Sequence, residues 1–311
     1  MWTRHFFSAL AVTVCASVAT AGELGVYQSG PDGFDTKTFW YDDGEEITII
    51  DTQFVPALTQ AMVDEIRKGS DNPITRVIVT HPNPDKFNGL SVLHELGARS
   101  VASKATAEAM KGVHDYKKFF WVEIAQAFTN DTYPVFEDID ETFDGDKTIT
   151  LKSGETISLI ELKNSGVTTT QTVVRIDETG DLIVGDLVHY KSHAWLEGGI
   201  KDGAPRPDID AWIAAVEELK TLGGSKIHGG RGPSGSVDAV VADQVEYLQK
   251  MDALVSDYVE SLGNKSGELT DPNTAGAHFE ALQAKAEKAF PERGLSYLVG
   301  YGVYGLAQSK L

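Results

Sequence analysis

The stretch RVIVTHPNPDKFNGLSVLHEL, residues 76–96, decides the fold of this 311-residue chain. Its first residues, 76–80, are largely β-branched and apolar, which is typical of a short buried strand. A polar loop follows, and apolar residues at helical spacing predict a helix over 88–98. This order places polar side chains at the carboxyl end of a strand, where α/β folds usually carry their sites.

The same alternation of strands and helices extends on both sides of this stretch. A hairpin is expected over 39–52, a helix over 55–68, and a strand over 100–103 that leads into a helix from Lys104. An aromatic-rich helix is predicted over 116–128. Strands that alternate with helices indicate the α/β class.

The second half of the chain predicts a further set of strands and a group of long helices. Strands are expected at 147–151, 156–162, 171–177, 181–185 and 225–230. Helices are expected at 208–222, with Asp208 as its cap, and at 236–263 and 271–290. The Gly- and Tyr-rich tail is expected to pack back on the domain.

The first 21 residues have the pattern of a secretory signal peptide. Arg4 and His5 give a basic start, 6–18 is an apolar run, and Ala-Thr-Ala at 19–21 is a small-residue cleavage pattern. An uncleaved membrane anchor is the alternative interpretation. We expect cleavage after Ala21 and a periplasmic or secreted protein.

The mature chain, residues 22–311, is predicted to form one domain with long helices and a tail from about 236. Its removed segment holds Cys15, the one cysteine of the sequence, so the mature chain has no disulfide. Loss of Arg4 takes the net charge from −19 to −20. So acidic a surface disfavours nucleic acid and anionic membranes as partners, and no apolar run of about 20 residues predicts membrane insertion.

Four polar segments at strand ends, 80–89, 164–174, 183–199 and 226–235, together resemble the metallo-β-lactamase superfamily in their order and spacing. The resemblance covers nearly all of the mature chain. It implies an α/β fold of the αββα sandwich type with a C-terminal helical extension. It also implies a two-metal site at one sheet edge and a small-molecule substrate or ligand as partner.

The first family motif, H-x-H-x-D-H, is altered in this sequence. His81 and Asp85 are kept, while Asn83 and Lys86 stand where the family has histidines. The place of the next family histidine is held by Val167, which has no ligand atom. The resemblance therefore implies that the first metal subsite is lost.

The second metal subsite keeps more of its ligands. By resemblance its members are Asp85, Lys86, the bridging Asp186 of the G-D motif and His228 of the last motif. Three protein ligands with water are the usual open set for a catalytic zinc. The resemblance thus implies at most one zinc, held by Asp85, Asp186 and His228, with His81 as a further candidate ligand.

Lys86 decides between a metal site and a metal-free one. If Asp85 and Asp186 converge in a buried place, their carboxylates repel each other, and either a metal or an ammonium relieves that repulsion. A Lys86 between them leaves no zinc, whereas a Lys86 turned to solvent leaves a three-ligand site. The sequence leaves both arrangements open.

Some of these residues also have purely structural interpretations. His81 can stiffen the loop by hydrogen bonding, and Asp85 can cap the helix that starts near Phe87. His193, in the segment SHAWL, either donates to a substrate or serves only the surface.

Three functions follow from these alternatives. The favoured one is a single-metal hydrolase of ester, lactone or amide bonds, with Asp85, Lys86 and His193 as catalytic candidates. The second is a non-catalytic member in which Lys86 replaces the metal charge and the pocket binds a ligand or partner. Metal-free hydrolysis with Lys86 as base or nucleophile ranks last, because two carboxylates would raise its pKa.

Overall fold

Two six-stranded sheets face each other and helices cover both outer faces in the computed structural model, which describes residues 22–311. The predicted signal peptide and Cys15 lie outside the described residues. This layering is the predicted αββα sandwich of the α/β class. Among residues 22–311, no helix combines the length and the apolar character that crossing a bilayer requires.

The first sheet has its strands in chain order. These are β1 (Glu23–Gln28), β2 (Lys37–Asp42), β3 (Ile47–Ile50), β4 (Ile74–Val79), β5 (Arg99–Ser103) and β6 (Glu141–Phe143). The first three pair antiparallel and the last four pair parallel. Helices on the outer face serve the parallel crossovers: α1 (Pro56–Ile66), α2 (Pro84–Phe87), α3 (Leu90–Glu95) and α4 (Lys104–Phe119).

The second sheet has the order β14-β13-β10-β9-β8-β7. Its strands are β7 (Lys147–Thr150), β8 (Thr156–Glu161), β9 (Thr172–Ile176), β10 (Asp181–His189), β13 (Lys226–Arg231) and β14 (Gly235–Ser236). A small hairpin of β11 (Gly199–Lys201) and β12 (Ala204–Arg206) stands apart from it. The covering helices are α5 (Ile209–Glu218), α6 (Val237–Leu262), α7 (Ala275–Ala289) and α8 (Tyr297–Gln308), and short 3-10 segments occupy Pro31–Gly33, Leu219–Thr221 and Gly263–Leu269.

Apolar side chains fill the space between the two sheets. The inward-facing residues are fully or almost fully buried, and include Ile50, Ile78 and Val101 from the first sheet and Leu159, Val174 and Ile183 from the second. Since successive strand residues point to opposite faces, the alternate positions meet the helices instead. Burial on both sheet faces explains the nearly continuous apolar runs of the central strands.

The helix and strand predictions are confirmed for most of the chain, with local differences. Asp208 caps α5 as predicted, because its carboxylate accepts a hydrogen bond of 2.9 Å from the Ala211 amide. The aromatic-rich segment is not a separate helix; it continues α4 as a π-helical turn, Phe120–Ile124. The tail forms α8, and the strands β1, β6, β11, β12 and β14 had not been predicted.

Candidate functional site

Two buried carboxylates and a buried ammonium form the centre of the candidate site. Asp85 lies in the first turn of α2, and Asp186 lies within β10; their exposed fractions are 6% and 2%. The Nζ atom of Lys86 lies 2.9 Å from Oδ2 of Asp85 and 2.8 Å from Oδ1 of Asp186. Lys86 itself is completely buried. The lysine therefore bridges the two carboxylates and does not turn to solvent.

Arg231, at the end of β13, is a second cation on the same two carboxylates. Its Nη1 lies 2.7 Å from Oδ1 of Asp186, as an ion pair without the alignment of a hydrogen bond. Its Nη2 donates to Oδ2 of Asp85 at 3.1 Å and to the Thr36 hydroxyl at 2.8 Å. We call Asp85, Lys86, Asp186 and Arg231 the charge cluster. Two negative and two positive groups thus balance each other in a place without bulk water.

Mutual attraction fixes the protonation states of the charge cluster. Burial by itself raises the pKa of Asp186, but Arg231 and Lys86 outweigh it and hold that pKa well below the usual range. Burial by itself lowers the pKa of Lys86, yet Asp186 and Asp85 raise it above the ordinary value. At neutral pH all four side chains are charged, and Lys86 keeps its proton.

Asp85 does not cap α2, in whose first turn it lies. The N-terminal flank of α2 is Asn83, and no side chain there makes a capping hydrogen bond. The carboxylate of Asp85 turns inward instead, and its Oδ2 also accepts from the Thr36 hydroxyl at 2.9 Å. The capping interpretation is wrong, because three donors inside the protein compete for that oxygen.

Two histidines flank Asp186 at longer distances. Nε2 of His81 lies 3.8 Å from Oδ2, and Nε2 of His189 lies 3.7 Å from Oδ1. Nδ1 of His81 lies 2.8 Å from the hydroxyl of Thr80, which also donates to the buried carboxylate of Asp51. His81 is therefore held by a hydrogen-bonded chain, in agreement with its structural interpretation, and it also borders the charge cluster.

Two glycines allow the strands to approach closely at this point. Gly185 has a φ of +52°, and a Cβ there would lie 2.7 Å from the His81 ring. A Cβ on Gly230 would lie 2.0 Å from Oδ1 of Asp186. Only residues without a side chain fit these two positions, so the glycines set the location of Asp186 between its partners.

The structure does not bring His228 together with Asp85 and Asp186. Its Nε2 is paired with Oδ1 of Asp181 at 2.8 Å, and its Nδ1 with the Ser234 hydroxyl at 2.8 Å. The strand register explains this placement, since His228 on β13 stands level with Ile183 on β10, ahead of the Gly185 bulge. The ligand set proposed from the sequence thus lacks its histidine.

Arg231 is the residue that sequence reasoning missed. It stands level with His189 of β10, beyond the bulge, and so reaches the charge cluster. The signal was present, because Gly230-Arg231-Gly232 has glycines on both sides and matches a G-H-G turn better than the segment around His228 does.

His193 also lies away from the charge cluster. Its Nδ1 is 3.3 Å from the hydroxyl of Tyr247, and its ring packs edge-on against Tyr247 and Phe290. Burial, helped by the charge of Arg293 and opposed by Glu287, lowers its pKa to about 4. The loop points Trp195, not His193, toward the candidate site.

We expect His193→Gln to flatten the pH dependence of stability between about pH 4 and 6.5. A histidine whose pKa falls on folding binds less proton in the folded than in the unfolded state, so stability decreases as pH falls through this window. Removing it should take away a slope of at most about 1.4 kcal/mol per pH unit. Urea unfolding at several pH values measures the slope, with His94→Gln as the control; equal slopes in wild type and His193→Gln would contradict the expectation.

A small cavity, with an enclosed volume of about 40 Å³ behind an open mouth, lies beside the charge cluster. Four aromatic side chains form much of its wall: Phe34, Phe54, Trp121 and Trp195. Polar and charged side chains complete it: Asn83, Asp85, Lys117, Asp186 and Arg231. Among the residues described, 22–311, this lining includes neither His193 nor His228.

Comparison with known proteins agrees with this architecture. The family model described as metallo-beta-lactamase superfamily matches residues 32–231, which is well over half of the chain. The chain belongs to the metallo-beta-lactamase superfamily. The matched region begins before β2 and ends at Arg231, so it contains the whole charge cluster.

Solved structures of metallo-beta-lactamases share the fold. A metallo-beta-lactamase from Pontibacter korlensis has a TM-score of 0.54 at 18% identity, over 75% of this chain and 97% of its own. The enzyme DIM-1, exposed to ceftazidime, has a TM-score of 0.54 at 20% identity, over 75% and 95%. FIM-1 from Pseudomonas aeruginosa, in a mono-zinc form, has a TM-score of 0.52 at 15% identity, over 73% and 89%. At these identities the similarity concerns the fold alone.

The charge cluster does not fit the zinc that the superfamily commonly binds. Oδ2 of Asp85 and Oδ1 of Asp186 each already face two cationic nitrogen atoms, and a protonated lysine or arginine repels a metal ion. Val167 is buried in the core under α5. Within residues 22–311, no three His, Cys, Asp or Glu side chains are arranged so that they could hold a metal.

Proposed function

We propose that this protein is a metal-independent member of the superfamily that binds a small molecule in the cavity beside the charge cluster. One observation carries the proposal: Nζ of Lys86 bridges Asp85 and Asp186 at 2.9 and 2.8 Å. A lysine in that position supplies the positive charge that a metal ion would otherwise supply. Arg231, on the same carboxylates, completes the replacement.

A metal-free hydrolase that uses Lys86 is not favoured by this geometry. A base or nucleophile must lose its proton, and the two carboxylates raise the pKa of Lys86. The ammonium also donates to both carboxylates, so its hydrogen bonds are directed inward. The role of Lys86 is therefore electrostatic and structural.

The single-metal hydrolase that the sequence favoured requires Asp85, Asp186 and His228 around one ion. Asp181 and Ser234 hold His228 instead. Without His228 the three-ligand set is reduced to Asp85 and Asp186, fewer than the three ligands of known catalytic zinc sites. His81, the further candidate, borders Asp186 at 3.8 Å, but the ion would still have to displace Lys86 and Arg231 from both carboxylates. A hydrolase of ester, lactone or amide bonds would therefore be supported only if a measurement showed a bound metal ion.

We also propose a place of action outside the cytoplasm. The basic start, the apolar run and the Ala-Thr-Ala end of residues 1–21 are the features that support a cleaved signal peptide. The mature protein would then consist of residues 22–311 as one domain, with a net charge of −20.

Metal measurements on the untagged mature chain test the metal-independent proposal. We expect wild type and Asp186→Asn, both purified without chelator, to contain the same amount of zinc, far below about one ion per chain. We also expect neither zinc nor a chelator to change the thermal unfolding temperature, since ligands stabilise only the state they bind. About one zinc per wild-type chain, absent from Asp186→Asn, would contradict the proposal and revive the hydrolase.

A further inference from the structure

We infer that the cavity beside the charge cluster takes an uncharged, planar aromatic molecule, which the side-chain amide of Asn83 orients. This inference rests on the proposed function, because a cluster filled by its own cations leaves no free charge for a ligand. It goes further by naming the class of ligand and the group that recognises it.

The walls of the cavity are a connected set of aromatic rings. The ring centroid of Phe34 lies 4.9 Å from that of Phe54, 5.5 Å from that of Trp121 and 5.7 Å from that of Trp195. Trp195 is stacked on Tyr301 at 6.1 Å with an interplanar angle of 7°. Rings supported in this way form a rigid apolar surface, and the edge-to-face and stacked contacts that they offer favour another aromatic ring.

Every charged group in the lining already has a partner of opposite charge. Asp85, Asp186 and Arg231 belong to the balanced charge cluster. Lys117, on the opposite part of the wall, is ion-paired with the buried carboxylate of Glu197.

The tryptophan of the same wall holds this ion pair in place. Nε1 of Trp195 donates to Oε2 of Glu197 at 3.0 Å, and Nζ of Lys117 lies 5.1 Å from the Trp195 ring. An anionic ligand would have to compete with resident carboxylates, and a cationic one would meet Lys117 and Arg231. Burial of an ion without its own partner is costly, so both are disfavoured against a neutral molecule.

The amide of Asn83, together with the indole N–H of Trp121, has no hydrogen bond to another described side chain of this lining, and only Asn83 offers both a donor and an acceptor. It is partly buried, and it lies between His81 and the short helix α2, whose backbone fixes its position. Its amide offers both a donor and an acceptor toward the cavity. A primary amide, hydroxyl or ring carbonyl on the ligand would satisfy it and would set the orientation of the ring.

The enclosed part of the cavity is small, about 40 Å³, and it opens to solvent through a mouth. This volume is far below that of the pockets that hold large ligands, commonly about 300–1,000 Å³. A single ring with a short polar substituent that enters from the mouth fits the site better than a large substrate does.

Three probes of nearly equal shape share one aromatic ring and differ in charge: benzamide, benzoate and benzamidinium. We expect benzamide to bind the mature protein at least about 10-fold more tightly than either ion, a difference of about 1.4 kcal/mol. Shifts of the Trp indole signals in two-dimensional NMR spectra measure the three affinities. Asn83→Ala should weaken benzamide binding about 3- to 10-fold, which is the usual value of one hydrogen bond.

Phe119→Ala is the matched control, because Phe119 is 56% exposed and lies outside the cavity lining. It should leave all three affinities unchanged. Equal or tighter binding of benzoate or benzamidinium would overturn the inference, and so would no benzamide binding at about 10 mM, a weak limit on the affinity scale. If benzamide fails while the protein remains free of zinc, only the ligand class is wrong; stoichiometric zinc would overturn the proposed function itself.

Discussion

Lys86→Met is expected to lower the free energy of unfolding by about 3–5 kcal/mol, the usual loss when one partner of a buried ion pair is removed. Methionine has nearly the length of lysine, so the packing volume is kept and the ammonium alone is lost. The carboxylates of Asp85 and Asp186 would then repel each other with Arg231 as their one remaining cation. Urea unfolding at pH 7 measures the loss.

The control for this substitution is Lys111→Met, whose side chain is 58% exposed and pairs with Asp115 on the surface. A pair of that kind contributes under about 1 kcal/mol, so the control should stay close to wild type. A second variant, Lys86→Met with Asp186→Asn, should recover part of the loss because it removes the repulsion; this coupling is read from a double-mutant cycle. Equal stability of Lys86→Met and wild type would show that the ammonium does not bridge the carboxylates.

The stability loss caused by Lys86→Met should depend on pH in a direction that can be predicted. In the wild type the pKa of Asp186 lies below its unfolded value near 4, so its contribution is complete above that pH and is lost as the pH falls through the lower folded value. In Lys86→Met one of the two cations that lower this pKa is gone and only Arg231 remains, so protonation of Asp186 becomes easier. The stability difference between wild type and variant should therefore shrink below about pH 4.

The individual strands and helices could be predicted from the sequence because the signals for them are local. The strand predicted over 76–80 is β4, Ile74–Val79, and the helix predicted over 208–222 begins at the cap that Asp208 provides. Runs of apolar residues bounded by caps and glycines determine such elements without knowledge of their neighbours. The two-layer arrangement was implied by the resemblance of the four polar segments to the superfamily, and the burial of these apolar faces accounts for it.

The charge cluster was predictable only in part. The resemblance implied that Asp85 and Asp186 approach each other as ligands of one subsite, and the bridging alternative for Lys86 followed from their charges. Arg231 was not found, because the choice between it and His228 depends on a bulge at Gly185 that shifts the pairing of β10 and β13. A register shift of this kind leaves little trace in composition or periodicity.

Other members of the site depend on contacts between distant segments. Thr36 reaches Asp85 across 49 residues of sequence, and Phe34 meets Trp195 from another loop. The position of His193 could not be predicted for a related reason, since the direction of a loop side chain is set by the partners it packs on, here Tyr247. Such contacts exist only after the two layers have assembled.

Replacing Lys86 and Arg231 together by histidine is expected to convert the charge cluster into a zinc site. The two cations that repel a metal would be gone, and two imidazoles would join Asp85 and Asp186 to give four nitrogen and oxygen ligands, a complete zinc set. Zinc affinity should rise from none measurable to a Kd of about 1 μM or tighter. Isothermal titration with zinc measures the affinity, and zinc at 100 times Kd should stabilise the variant by about 2.7 kcal/mol.

Three further variants test whether zinc binds at the converted charge cluster. Lys86→His alone keeps Arg231 on both carboxylates and should bind zinc at least about 100-fold more weakly than the double variant, because a cation still faces the ion. Adding Asp186→Asn to the double variant should abolish binding, since it removes a ligand charge. Lys111→His, on the surface, controls for zinc held by any exposed imidazole. A folded double variant could still bind no more zinc than Lys111→His. That result would mean that Lys86 and Arg231 do not occupy the position of a metal ion, and the metal-independent proposal would lose its physical basis.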